Sequence, residues 1–325
     1  MSELPAGVSV VIPVYNGETT LRDLIGNLGR VLPNVASSFE AVLVNDGSRD
    51  ASGKVIEELA AGHSWVRSIH LSRNYGQHNA TLCGVRAAKY DVVVTMDDDL
   101  QHPAENIPLL LAKLNEGYDV VYGTPEKEPH GFWRNLASVV TKVALRSAMG
   151  VETARGVSAL RAFRTATRNS FAEYRSPYVS IDVILTWSTT RFAAIRVPHD
   201  SRTEGASNYT FVMLFRHAVN MMTGFSTAPL QLASLVGFTF AFIGVVVLAW
   251  VLARYFLEGR SVPGFAFLAS IVSIFAGAQL FALGIIGEYV ARMHLRTMEK
   301  PTYVIRSDSG GMAAGSFSVQ PDERS

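Results

Sequence analysis

Two long stretches of this chain carry no charge. Leu230 to Ala253 and Pro263 to Gly287 contain no Asp, Glu, Lys or Arg and are almost wholly apolar. Each exceeds the ~20 residues that an α-helix needs to cross a hydrocarbon core. A helix buried in a soluble core would explain one such run. Two in succession, joined only by Arg254 to Val262, point instead to a transmembrane hairpin. Positive charge is heavier after the second run, at Arg292, Arg296, Lys300 and Arg306, than in the connection, at Arg254 and Arg260. The positive-inside rule then puts both termini in the cytosol. The hairpin is expected over 229–291, with spans near 230–253 and 264–287 in an inner membrane.

The first third has a different rhythm. Val8–Pro13, Phe39–Asp46, Val66–Leu71 and Asp91–Met96 are short apolar runs that read as buried strands. Amphipathic helices are expected between them, over about 19–32, 52–61 and 79–88. Strands apolar throughout, each followed by a helix, indicate a mostly parallel α/β sheet covered on both faces. In such sheets ligands bind beyond the carboxyl ends of the strands, where Asp46 and Asp97–Asp99 fall. A first domain over 1–208 follows. Glu3, Pro5 and Pro13 make the N-terminus unlike a signal peptide, which keeps that domain cytosolic.

Two further segments mix apolar and basic residues. Residues 132–149 include Phe132, Trp133 and Leu136 beside Arg134, Lys142 and Arg146, and 209–228 include Phe211, Leu214 and Phe215 beside Arg216. Such helices lie in a headgroup layer or pack on their own domain. The second leads straight into the membrane, which favours the headgroup layer there. The tail, 292–325, is rich in Gly, Ser and charge after about 307 and is expected to be disordered there. Pro301–Ile305 can return as a short strand. The net charge of +1 argues against a nucleic-acid partner. The single cysteine, Cys83, excludes an intrachain disulfide and reads as a core residue on a helix.

Chemistry concentrates in Thr95–Pro103. Asp97, Asp98 and Asp99 stand together at the end of an apolar strand, where three carboxylates repel one another without a cation. Hard oxygen ligands of this kind suit Mg²⁺ or Mn²⁺, ions that also bridge substrate phosphates.

With these motifs in place the chain resembles a family 2 glycosyltransferase of the GT-A fold, in the polyisoprenyl-phosphate group. The matching segments are Val11–Asn16, Val44–Ser48, Ser72–Gln77, Met96–Pro103, the hairpin and Gly287-Glu288-Tyr289. Asn74-Tyr75-Gly76-Gln77-His78 fits the bacterial branch that charges undecaprenyl phosphate with an aminoarabinose-type sugar. The resemblance implies an inverting transfer from a UDP- or GDP-sugar to a polyisoprenyl phosphate at the lipid bilayer, and a homo-oligomer, commonly a tetramer. It places Pro13, Tyr15, Asn16, Glu18 and Asp46 around the nucleotide, with Asp98 in support. Asp46 can accept a hydrogen bond from the imide N–H of uracil or guanine, which leaves the base open between them. Asp97, Asp99 and Gln101 match metal-handling positions. Arg202 is expected to face the leaving diphosphate from a loop in which Ser207 and Tyr209 form part of a lid. Arg134 and Ser138 match a pair that holds the acceptor phosphate, and Lys127 stands near a missing family arginine. Asn208 replaces a usual lysine, and Ala154-Arg155-Gly156 replaces a segment that often carries aspartate.

Other classes fit less well. A processive polysaccharide synthase would carry a Q-x-x-R-W segment, whereas Trp187 follows Leu185-Thr186. A nucleotidyltransferase would open with a Gly-rich basic loop, and Val14-Tyr15-Asn16-Gly17 offers no cation. An inactive scaffold would not need intact Asp46, Asp97, Asp99 and Arg202.

Overall fold

The computed structural model describes residues 7–125, 157–176, 178–198, 227–258 and 264–310. The chain divides into two compact units, Met1–Phe211 with Glu299–Ser325, and Val212–Met298.

The first unit is built on strands that are apolar on both faces. These are β1 (Val8–Val14), β2 (Phe39–Asn45), β3 (Val66–Leu71) and β4 (Val92–Thr95). They alternate with helices α1 (Leu21–Val31), α2 (Ser52–Gly62) and α3 (Gln77–Ala87). Then come α4 (Ile107–Asn115), β5 (Val120–Pro125), β6 (Arg161–Arg164), α5 (Ile181–Leu185) and β7 (Phe192–Val197). Strand β8 (Ile305–Asp308) completes an eight-stranded sheet in the order β7-β5-β6-β4-β1-β2-β3-β8. Pairings β1/β2, β1/β4, β2/β3 and β5/β7 are parallel, and β6 and β8 are antiparallel to their neighbours.

Alternation along β1 explains the two cores. Val8, Val10 and Ile12 face one side with Leu24, Ile25 and Leu28 of α1, while Val11 faces the other with Leu82 and Val85 of α3. Each such side chain contributes ~1.5–3 kcal/mol by leaving water. Cys83 belongs to the second core, and burial pushes its thiol up to about 12, as befits a packing residue. Because β2 lies on one side of β1 and β4 on the other, the connections reverse direction between β1 and β4. Their carboxyl ends open a crevice at that switch point.

The tail differs from its expectation. Its Gly, Ser and charge content suggests disorder from about 307, yet Ile305–Asp308 is a strand and the backbone continues in a turn to 310. The free edge of β3 supplies backbone partners, and Arg67 supplies a clamp. Arg67 Nε and Nη2 meet Asp308 Oδ1 and Oδ2 at 2.9 and 2.6 Å, while Nη1 donates to the Ala87 carbonyl at 2.9 Å.

The second unit holds α6 (Ala228–Glu258) and α7 (Phe265–Thr297). Both contain segments long and apolar enough to cross a membrane, Ala228–Leu257 and Ile274–Thr297, and neither is buried by protein. Exposed Phe238, Phe242, Leu257, Leu268 and Leu283 would be an aggregation hazard in water and are at home in lipid. Helix α7 continues past the expected end near 287. At 1.5 Å per residue its 33 residues reach ~50 Å, longer than a ~30 Å hydrocarbon core. The Glu288–Arg292 pair, 2.8 Å apart, extends the helix through polar turns.

Asp308→Ala should lower unfolding free energy by about 3 kcal/mol, because it leaves a half-buried guanidinium unpaired. Denaturant titration in detergent would check this; a change below about 0.5 kcal/mol would show that β8 is dispensable.

Candidate active site

The site is assembled from loops at the carboxyl ends of β1, β2, β3 and β4. The loop after β1 is zipped to the loop after β2. Asn16 adopts φ +56°, its N–H donates to Ser48 Oγ (3.1 Å), and its Oδ1 accepts from the Arg49 N–H (2.9 Å). The Gly17 N–H donates to Ser52 Oγ at 2.9 Å, and Glu18 accepts from the Ala51 N–H at 2.7 Å. Asn16 and Glu18, expected beside the nucleotide, thus brace the two loops.

Asp46 is 2% exposed. Its N–H donates to the Val14 carbonyl at 2.9 Å, and its carboxylate oxygens accept from the Tyr75 and Gly76 N–H groups at 2.7 and 2.8 Å. Burial raises its pKa above the ordinary carboxylate value, and those two bonds offset part of the rise. Each oxygen keeps a lone pair for one further donor. The turn that follows is closed by its neighbour, since Asn45 Oδ1 accepts from the Ser48 N–H. Gly47 sits at φ +67°, and a Cβ there would lie 2.6 Å from backbone atoms of Arg73 and Asn74.

The acidic triplet forms a tight turn. Leu100 is held at φ +60°, a conformation costly for a branched side chain and one that collects at functional sites. Asp97 Oδ1 accepts from Gln77 Nε2 at 2.5 Å, and Asp99 Oδ1 accepts from the Gln101 N–H at 3.1 Å. Gln101 thereby joins the turn through its backbone. Asp98 Oδ2 is shielded from solvent with no hydrogen-bond partner among the described residues, and a Cβ on Gly17 would come within 2.2 Å of it. Burial, then Asp97 and Asp99, push its pKa up to about 7.

A cleft of 230 Å³ joins these pieces, lined by Pro13, Tyr15, Asp46, Gln77, Asp97 and Asp99 among others. Tyr15 is 44% exposed at its edge, as a stacking platform for a base requires. The N-terminus of α3 opens beside it, where partial positive charge suits phosphate. Among the described residues no three His, Cys, Asp or Glu side chains form a closed cage. The site instead offers a few hard oxygens, which fits an ion that completes its shell with water and phosphate. Arg202, Arg134, Ser138, Lys127, Ser207 and Tyr209 lie outside the described residues, as do 132–149 and 209–226. Sequence reasoning missed Asn74 and Gln77 as lining residues and the buried pair Arg161–Asp182 nearby. The pair had a signal: each charge interrupts an apolar run, Leu160–Phe163 and Ile181–Leu185.

Fold and site place a carboxylate-lined cleft at the strand ends of a mostly parallel sheet. A family model described as glycosyl transferase family 2 matches residues 9–158. An undecaprenyl-phosphate 4-deoxy-4-formamido-L-arabinose transferase of Shewanella sediminis is 33% identical over 320 residues, 98% of this chain and 97% of that protein. The Proteus mirabilis protein of the same description is 36% identical over 307 residues, 93% of this chain and 94% of its own. The chain therefore belongs to glycosyl transferase family 2 and is an enzyme of the glycosyltransferase class, as its motifs led us to expect. A solved glucosyl-3-phosphoglycerate synthase of Mycobacterium tuberculosis, in complex with Mn²⁺, UDP-glucose and phosphoglyceric acid, superposes with a TM-score of 0.52 at 18% identity. It covers 67% of this chain and 79% of its own, a likeness of fold.

Two predictions follow from this geometry. Gly47→Ala should weaken nucleotide binding at least ~10-fold in calorimetry by pushing apart the loops after β2 and β3; unchanged affinity would mean those loops do not shape the cleft. The second concerns Asp98 with divalent cations chelated. Its folded-state pKa, about 7, lies above the ordinary 3.8, so the folded chain binds this proton more tightly than the unfolded chain. Its contribution to stability is fully present below the unfolded value and is lost as pH rises to the folded one. Asp98→Asn should therefore gain Tm over the natural chain progressively from about pH 4 to pH 7 and hold that gain above it. A constant offset across pH would contradict the assignment.

Proposed function

We propose that the protein moves a sugar from a UDP- or GDP-sugar to a polyisoprenyl phosphate, with inversion at the anomeric carbon. The carrying observation is the convergence of Asp46 with Asp97 and Asp99 on one cleft at the strand ends. The relatives of near full-length match are described as undecaprenyl-phosphate transferases of a formamido-arabinose, which makes undecaprenyl phosphate the acceptor to try first.

In this reading Asp46 accepts the imide N–H of the base, beside Tyr15 and Pro13. Asp97 and Asp99, with Gln101, would hold Mg²⁺ or Mn²⁺, and that ion would neutralise the departing diphosphate. Asp98 stays beneath Gly17 and keeps the turn in shape. The acceptor phosphate is already an anionic nucleophile near neutral pH, so the chain needs no strong general base. Its task is to hold two substrates in line and offset charge on the leaving group. Arg202 is assigned to the leaving diphosphate, with Ser207 and Tyr209 in its lid, and Arg134, Ser138 and Lys127 to the acceptor phosphate. The helices α6 and α7 anchor the chain in the inner membrane as a hairpin, with both termini and the catalytic unit in the cytosol. The assembly is a homo-oligomer, a tetramer by resemblance.

A transfer assay with undecaprenyl phosphate and labelled UDP- and GDP-sugars tests this. Lipid-linked product should form from at least one donor, require Mg²⁺ or Mn²⁺, and fall by at least ~100-fold in Asp99→Ala. Product formed at full rate in chelator, or by Asp99→Ala, would refute the metal site. No lipid-linked product from any donor would refute the acceptor.

A further inference from the structure

Beside the nucleotide cleft lies a second cavity, of 280 Å³. The two share a wall made by Pro13, Gln77 and Asp97. Arg161 and Asp182 line the second cavity, together with Thr81 and Ser158. A volume near the ~300 Å³ lower end of small-ligand sites suits one monosaccharide ring.

Arg161 and Asp182 are each 5% exposed and form an ion pair. Removing two charges from water costs several kcal/mol per ion, and an apolar pair of similar volume often serves stability as well or better. Stability alone therefore gives a weak reason for this pair, and its position on a cavity wall gives a better one. The guanidinium uses Nη1 toward Asp182 Oδ1 and Nε toward the Ala159 carbonyl at 3.5 Å. Nη2 has no partner among the described residues. The guanidinium carbon lies 5.9 Å from the Tyr122 ring centre, so its orientation is fixed by packing as well as by charge. A fixed guanidinium next to a carboxylate presents a donor and an acceptor side by side. Its complement is a ring bearing an adjacent acceptor and donor, as two vicinal hydroxyls or an amide substituent do.

We propose that this cavity receives the monosaccharide of the nucleotide sugar and that Arg161 and Asp182 read its polar ring substituents. The proposal rests on the donor reading above and adds residues that determine specificity. A sugar attached to a diphosphate at Asp97 and Asp99 needs to cross only the shared wall to reach this pair.

Two variants test it. Asp182→Asn keeps the shape and removes the charge; Ser158→Leu fills the cavity and leaves the ion pair intact. Binding is measured with Mg²⁺ for the free nucleoside diphosphate, UDP or GDP, that the natural chain prefers. It is then measured for its sugar conjugates bearing hydroxyl, amino or formamido groups, followed by kcat/KM for transfer. Free diphosphate affinity should stay within ~2-fold in both variants. Affinity and kcat/KM for the preferred conjugate should fall ~10-fold or more, because a buried polar group is left unmatched. The ranking of conjugates should change in Asp182→Asn. A formamido conjugate losing most would identify the amide, and vicinal hydroxyl conjugates losing most would identify the diol. If Asp182→Asn does not fold, Ser158→Leu decides. Equal losses for diphosphate and conjugates, or unchanged affinity for both, would overturn the proposal. A natural chain that binds neither diphosphate nor conjugate would overturn the donor reading and this one with it, whereas selective loss in the variants sustains both.

Discussion

The carboxylate of Asp46 is the point on which the catalytic unit turns. Through its own N–H it is tied to Val14 at the end of β1, and through its oxygens it gathers the N–H groups of Tyr75 and Gly76 ahead of α3. One buried residue, through its backbone N–H and its carboxylate together, thereby fixes the ends of β1 and β2 against the loop after β3 and the start of α3. Charge-assisted bonds of this kind are roughly twice as strong as neutral ones, which explains why a carboxylate rather than an amide occupies the place. Gln77, the first residue of α3, then reaches Asp97, so the position of the acidic turn depends on the same anchor.

Negative charge at the strand ends poses a second constraint. Asp97, Asp98 and Asp99 are adjacent, Asp98 Oδ2 is shielded from water, and the pKa of Asp98 is driven to about 7. A site that resists ionisation of its own carboxyl near neutral pH favours a positive partner. Leu100 at φ +60° shows that the backbone tolerates strain to keep this turn. Two apolar helices that need lipid around them complete the chain, which then returns to the sheet as β8 under the grip of Arg67 on Asp308.

Much of this was legible in sequence because the signals were local. Apolar runs marked β1 to β4 nearly to the residue, since strands covered on both faces leave no room for polar side chains. That Asp46 and the acidic triplet line one cleft could be foreseen from the rule that places ligands at strand ends. What sequence did not show was set by contacts distant along the chain. Asn16 and Glu18 stand in a legible motif, but the groups that hold them in place, the N–H of Arg49 and of Ala51, lie more than thirty residues away. The strand at Ile305–Asp308 needs an Arg67 that lies 241 residues from Asp308. Arg161 and Asp182, on separate elements, show their pairing only once the sheet brings them together.

The central claim is that a metal-bound nucleoside diphosphate sits across the ends of β1, β2 and β4. An experimental structure with UDP and Mn²⁺, located by its anomalous signal, tests it most directly. The account predicts Mn²⁺ within ~2.2 Å of an Asp99 carboxylate oxygen, bridged to phosphate, and the base imide within hydrogen-bonding distance of Asp46. Manganese or nucleotide located away from the acidic turn, with Asp46 untouched, would contradict it.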